Sequence, residues 1–261
     1  MALFTDGAGN DLEDLVAYDS TVLEMARQEG IDLGVKLDLA WEELGIELRR
    51  FLILAGRGDL ELRNICVTKP LEKCHAFRSL ALAYWDAAHR QRSDRFGERA
   101  REWERQAAWA WTALLDTGIG IVERPVDKAG RPVVELAPME MPAATYWVRI
   151  AWVDEGGQEG APSEAVVVNV GENQGLVVMP GAAPAGISGW HVYLGFEAEA
   201  LRRQNSAPIP IGQSWRQSSA GLLDGPRPSE GQAPDYYLRR GGLLFQEGNE
   251  GFGIASLLLR G

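Results

Sequence analysis

KPLEKCHAFRSLALAYWDAAHRQRSDRFGERAREWERQAAWAWTALLDTG, residues 69–118, is the stretch whose reading decides the fold. Cys74, Phe77, Ala81, Tyr84/Trp85 and Ala88 recur at three- and four-residue steps. Phe96, Ala100, Trp103, Ala107, Ala110/Trp111 and Leu114 repeat the pattern, so each half carries one apolar helical stripe. Pro70 is tolerated in a first turn, where its missing N–H would have no helical partner. Ser93-Asp94 supplies a second N-cap signal and Gly97 weakens the interior beside it, which predicts a break near 93–97. Gly118 closes the element as a glycine past the last turn. Two such helices must bury their stripes against others.

The preceding chain provides them. Asp11 caps a short helix through Tyr18, and Asp19 or Ser20 caps a second that carries Val22, Leu23 and Ala26 and ends before Gly30. Asp32 opens a longer helix with Leu33, Leu37, Ala40/Trp41, Leu44, Leu48 and Leu52 on one face, ending at Gly56. Residues 57–68 form a connector with an extended piece at Ile65–Val67. The short connections predict an all-α bundle over residues 1–121.

After Gly118 the period changes. Residues 122–143 hold four prolines and no helical period, as in a linker, with one short strand at Val133–Leu136. From Thr145 the period is two: Tyr146, Val148, Ile150 and Trp152 alternate with Trp147, Arg149, Ala151 and Val153. EAVVVNV, LVVMP, GWHVYLGF and PIPIGQSW follow, separated by turn clusters, so residues 144–224 read as a small β-sandwich. The expected fold class is therefore α+β and multidomain. Residues 225–261 form an extended, glycine-rich C-terminal arm that still carries Tyr236, Tyr237 and Leu243–Phe245, residues that a disordered tail lacks. It packs either on its own sandwich or on another subunit.

The chain has 261 residues and a formal charge of −11, which argues against a protein that grips nucleic acid, since phosphate binding needs clustered Lys and Arg. No apolar run is long enough to span a bilayer, and the N-terminus lacks the basic and apolar regions of a secretory signal. Cys66 and Cys74 are too few for a disulfide framework and match no zinc spacing, so buried thiols in a reducing cytoplasm are expected. Residues 1–47 hold twelve acidic side chains against Arg27 and Lys36, whereas residues 69–105 hold nine basic against six acidic. Either these are solvated faces, or they are complementary charge between neighbouring copies. In the second case Arg90, Arg92, Arg95, Arg99 and Arg101 form a free basic face.

Motifs that carry chemistry are missing. His75 and His89 are too far apart for a metal pair one helical turn apart, and His191 has no acidic residue at a useful spacing; all three read as structural or surface histidines. No Walker loop, GxSxG, GxGxxG or HExxH is present. No enzymatic activity, cofactor or metal is expected. The RGD at Arg57–Asp59 reads as chance. Trp41, Trp85, Trp103, Trp109 and Trp111 fall on helices; Trp109 lies off the stripe, so it covers another helix or marks a partner contact.

Two stretches carry a family resemblance. LEDLVAYDSTVLEMARQEGIDLGVKLDLAWEELGIEL (12–48) with NICVTKPLEKCHAFRSLALAYWDAAHRQRSDRF (64–96), including the P-L-x-x-x-H-x-F-R-S-L run of Pro70 to Leu80, resembles the head-to-tail adaptor (connector) proteins of tailed bacteriophages. TYWVRIAWVDEGGQEGAPSEAVVV (145–168), GWHVYLGF (189–196) and APIPIGQSW (207–215) resemble the fibronectin-III or Ig-like modules appended to virion proteins. The resemblance implies a homo-oligomeric ring, a dodecamer, at the virion's head–tail junction, made in the host bacterial cytoplasm. The implied partners are the portal protein and a tail or stopper (neck) protein, with no membrane and with DNA passing through the lumen without specific binding. It brings no catalytic residues. It also implies that the C-terminal arm embraces a partner through Tyr236, Tyr237, Arg239, Arg240, Leu243, Leu244 and Phe245. The alternative is a binding module that attaches to carbohydrate or a host or virion surface, motivated by Trp147, Trp152, Trp190 and Trp215.

Overall fold

Side-chain caps set the helix starts in the first half of the chain. The computed structural model describes residues 1–7, 9–90 and 96–240, and the backbone alone of 244–246. Asp11 accepts from the backbone N–H groups of Glu13 and Asp14, while Asp14 reaches back to the Asp11 N–H; this reciprocal cap opens α1 (Leu12–Tyr18). α2 (Val22–Glu29) starts after Thr21, whose N–H and hydroxyl donate to the Asp19 carboxylate, rather than after Asp19 or Ser20. It ends at Gly30, whose left-handed backbone (φ 65°) suits glycine. Asp32 caps α3 (Leu33–Leu54). α4 (Lys69–Arg90) and α5 (Gly97–Thr117) follow, and the break predicted near 93–97 falls between them. The Ser93-Asp94 cap lies outside the described residues.

The contacts divide the chain into two units, neither of them one continuous segment. The described residues of 7–123 and 234–261 form the helical unit, and those of 1–6 with 124–233 form the other. In the helical unit Leu37, Leu44, Leu48 and Leu52 of α3 and Cys74, Phe77, Ala81 and Tyr84 of α4 are buried, which matches the expected stripes, while Leu71, Ala76, Leu80 and Ala83 widen the buried face of α4 beyond its stripe. A small antiparallel sheet completes this unit. β1 (Ile119–Ile121) pairs with β10 (Tyr236–Leu238), and β10 pairs with β11 (Leu244–Gln246). Two strand edges must be satisfied where α5 ends, and the returning chain satisfies one of them.

The other unit is built from two antiparallel sheets that share one core. β2 (Val133–Pro138), β5 (Gln174–Met179) and β9 (Trp215–Arg216) form the first. β4 (Val166–Val170), β3 (Ala144–Asp154), β6 (Ile187–Gly195) and β7 (Arg202–Arg203) form the second, in that order, with β8 (Ile209–Pro210) also on β6. The alternation in β3 is realised: Tyr146, Val148, Ile150 and Trp152 enter the shared core with Leu176, Val178, Trp190, Val192 and Leu194. Residues 122–143, expected as a linker with one short strand at Val133–Leu136, hold that strand as β2 but also bury Val126 and Ala129 in this core. The polar stretch 197–206 contains β7, which had no apolar pattern to announce it.

Three buried glutamines fasten the loops of this unit. Gln232 accepts from the Val126 N–H at 2.6 Å and donates to the Arg124 carbonyl at 3.0 Å. Gln204 accepts from the Leu223 N–H and donates to the Leu223 carbonyl, and Gln217 accepts from the Leu176 N–H at 3.1 Å. Each primary amide stands in for a strand neighbour, so buried backbone groups without a ladder partner are still paired. The whole is an α+β protein with five α-helices and three sheets among the described residues. Among those residues no helix is long and apolar enough to cross a membrane.

Candidate interaction surfaces

The first site to build is the returning C-terminal strand. Tyr236 and Leu238 are buried against the helical unit, and Tyr237 between them is half-buried. Arg57 donates from Nη1 to the Tyr236 hydroxyl at 2.6 Å, and its guanidinium lies 5.6 Å from the centre of that ring. Arg57 also holds the Asp59 carboxylate, so two residues of the RGD triplet have structural partners. Arg239 donates from Nε to the Thr117 carbonyl, and the Arg240 N–H donates to the Leu115 carbonyl, which satisfies the last turn of α5. The strand therefore lies on the chain's own helical unit, a third option beside the two expected for the arm. Of the expected interface residues, Tyr236, Tyr237, Arg239 and Arg240 come together here. Leu244 and Phe245 are described as backbone only, in β11, and Leu243 lies outside the described residues.

The second feature is a buried charge cluster. The Asp19 side chain is 1% exposed. It accepts from the Tyr84 hydroxyl at 2.7 Å, from Arg99 Nη2 at 2.9 Å, and from the Thr21 N–H and hydroxyl at 3.0 and 2.8 Å. Burial works against ionisation, but these four donors outweigh it and hold the carboxyl below its usual range. Burial also pushes the Tyr84 hydroxyl up to about 12. Three of these bonds fall on Oδ1 and one on Oδ2, all from the chain's own groups, so Asp19 serves to organise structure. Arg99 is consequently engaged, and Arg90 donates to Asp86 and to the carbonyls of Glu29 and Gly30. The expected free basic face is thus corrected: two of its five members close the α2–α4–α5 contacts. Arg92 and Arg95 lie outside the described residues.

His75 is completely buried in α4. Nε2 sits 2.9 Å from the Leu37 carbonyl and carries the proton, while Nδ1 accepts from the Asn10 amide at 3.0 Å. Burial lowers its pKa below the ordinary value, so the ring is neutral. His191 in β6 is also held down by burial, with the Arg203 guanidinium adding to the effect. Burial pushes the Cys74 thiol up to about 12, so the thiolate needed for nucleophilic chemistry does not form at neutral pH. Among the described residues no group of three or more His, Cys, Asp or Glu side chains could hold a metal ion.

The third feature is an open groove of about 430 Å³ on the helical unit. Asn10 just before α1, Asp14 and Tyr18 of α1, Pro70 and Lys73 of α4, and Trp109 and Ala113 of α5 are among its lining residues. Trp109 is 55% exposed. Lys73 Nζ lies 5.0 Å from its ring centre and 5.4 Å from that of Phe77, so the ammonium bridges a buried and an exposed aromatic. Tyr18 meets Phe77 edge-on at 5.0 Å. Lying off the stripe identified Trp109 from sequence alone; nothing in the sequence brought Tyr18 or Pro70 beside it. In the β-sheet unit Trp152 and Trp190 are core residues, and Trp147 and Trp215 are half-buried. Compared with protein-family models, curated proteins and solved structures, the chain matches none.

Proposed function

We propose that this chain is a structural connector of a tailed-bacteriophage particle, acting through contacts rather than catalysis. In this reading the helical unit is a bundle that joins other copies in a ring between portal and tail protein, and the β-sheet unit is an appended Ig-like or fibronectin-III-like sandwich. The observation that carries the reading is the Tyr18–Trp109 groove, an exposed aromatic cleft on the helical unit. Tyr and Trp dominate the energetics of protein contacts because each buries a large, rigid surface at low entropic cost. The acidic balance of the chain supports passage of DNA without adhesion, since it offers little counterion release. A closed ring needs two different faces on each subunit, and the groove is one candidate.

Electron microscopy of the full chain, alone and co-expressed with the portal protein of its own genome, tests the proposal. Closed rings, free or seated on the portal, are the expected result, and Trp109→Ala is expected to reduce them. A protein that never forms rings and never joins the portal overturns the reading.

A further inference from the structure

α3 is apolar on two opposite sides. Its inner side is buried in the helical unit, as described above. On the outer side Val35, Leu39, Ile46 and Ile53 are all exposed, Ile46 by 71% and Ile53 by 57%. At 100° per residue these four fall within about 40° of one another and face directly away from Leu44. Leu39, Ile46 and Ile53 are spaced seven residues apart and Val35 precedes Leu39 by four, the spacing of a coiled-coil seam. A helix that is apolar on both sides has a second surface to cover.

The charges beside the seam say what covers it. Glu42 and Glu43 lie one turn before Ile46, and Arg49 and Arg50 lie one turn after it. Glu42 and Arg49 are on one flank, Glu43 and Arg50 on the other. Arg50 is exposed and has no hydrogen bond or ion pair within the chain among the described residues. Glu43 meets Arg78 only at 3.8 Å, while Arg78 is held by Glu47 at 3.0 Å. A two-fold axis at Ile46 reverses the second helix, so each acidic turn lies level with the partner's basic turn. Leu39 then comes level with Ile53 and Ile46 with itself. A parallel pairing in register would set like charge against like.

We propose that the outer face of α3 is a self-association surface on which two copies pair antiparallel about Ile46, with Glu43 of each facing Arg50 of the other. The seam from Val35 to Ile53 is only about 27 Å long. The interface falls at the small end of specific contacts, so the pairing is weak and concentration-dependent. A two-fold contact pairs and stops. It is therefore not the head-to-tail contact of a ring, and it does not rest on the connector reading.

Sedimentation velocity of the full chain over about a hundredfold range of concentration tests it. A monomer–dimer equilibrium is expected. Ile46→Glu abolishes the dimer, and because Ile46 is exposed the circular dichroism melt is unchanged. Glu43→Arg and Arg50→Glu each weaken dimerisation by about tenfold or more, and the double variant E43R/R50E restores it. A chain that stays monomeric throughout overturns the proposal. So does a dimer indifferent to Ile46→Glu, or a double variant no better than the singles, which places the contact elsewhere. Rings that persist in Ile46→Glu would separate this surface from any ring contact.

Discussion

Replacing Asp19 by alanine tests the organisation of the helical unit most directly. The carboxylate accepts four hydrogen bonds within a side-chain environment that is 1% exposed. Two of the donors, Tyr84 of α4 and Thr21 at the start of α2, are brought to one carboxylate by Asp19. Alanine leaves the Tyr84 hydroxyl with the Thr21 hydroxyl at 3.3 Å as its remaining partner. Neutral bonds contribute about 1 kcal/mol each and a buried donor left unpaired costs about 1–3 kcal/mol. Arg99 is half exposed, so its share is screened and stays under about 1 kcal/mol. The expected loss is about 3 kcal/mol, or roughly 10 °C in the melting temperature of the helical unit. The pH dependence supplies a second reading. Because the folded-state pKa lies below the ordinary 3.8, the stabilisation is fully present above that value and is lost as pH falls through the lower folded one. Thermal melts followed at 222 nm should show the gap between wild type and Asp19→Ala at neutral pH and its narrowing in acid. Equal melting at neutral pH, or a gap that ignores acid, would refute the role assigned to Asp19.

Three further outcomes are expected. His75 and His191 are held below 6.5, so their contribution is present above that pH and lost as pH falls; urea midpoints should drop from neutral towards pH 5, and H75Q/H191Q should flatten that slope. Truncation after Ala233 removes β10 and uncovers the buried Ile119 and Ile121, giving aggregation in light scattering, whereas truncation after Gln246 keeps the strand and stays monodisperse at low concentration. Trp152→Ala empties the centre of the two-sheet core and should cost about 3–5 kcal/mol in denaturant unfolding, with loss of near-ultraviolet signal from that unit.

Periodicity made most elements legible. The apolar steps of α3, α4 and α5 and the alternation of β3 each mark a buried face, and a buried face is what hydrophobic pattern records. Caps did nearly as well where one short side chain serves its own helix, as at Asp11 and Asp32. Asp19 misled because its carboxylate, besides holding Thr21 at the start of α2, serves a tyrosine and an arginine 65 and 80 residues away. Distance in sequence hides such a partner. β7 and the three stapling glutamines were invisible for a related reason: a polar side chain that replaces a strand neighbour leaves no apolar signature. Arg90 and Arg99 looked free because charge patterning counts residues without showing which carbonyl or carboxylate they meet. Of the groove, only Trp109 was legible; Tyr18 and Pro70 join it through packing between helices.

The interleaved order of the two units has a consequence for synthesis. β1 is made as α5 ends, yet its neighbour β10 lies more than a hundred residues further on, after the entire two-sheet unit. At ordinary translation speeds that delay is on the order of ten seconds. For that interval the nascent helical unit carries an open strand edge with Ile119 and Ile121 beside it, and only chain completion closes it. A ribosome stalled anywhere between 122 and 235 therefore displays an adhesive intermediate, and chaperone demand should peak there.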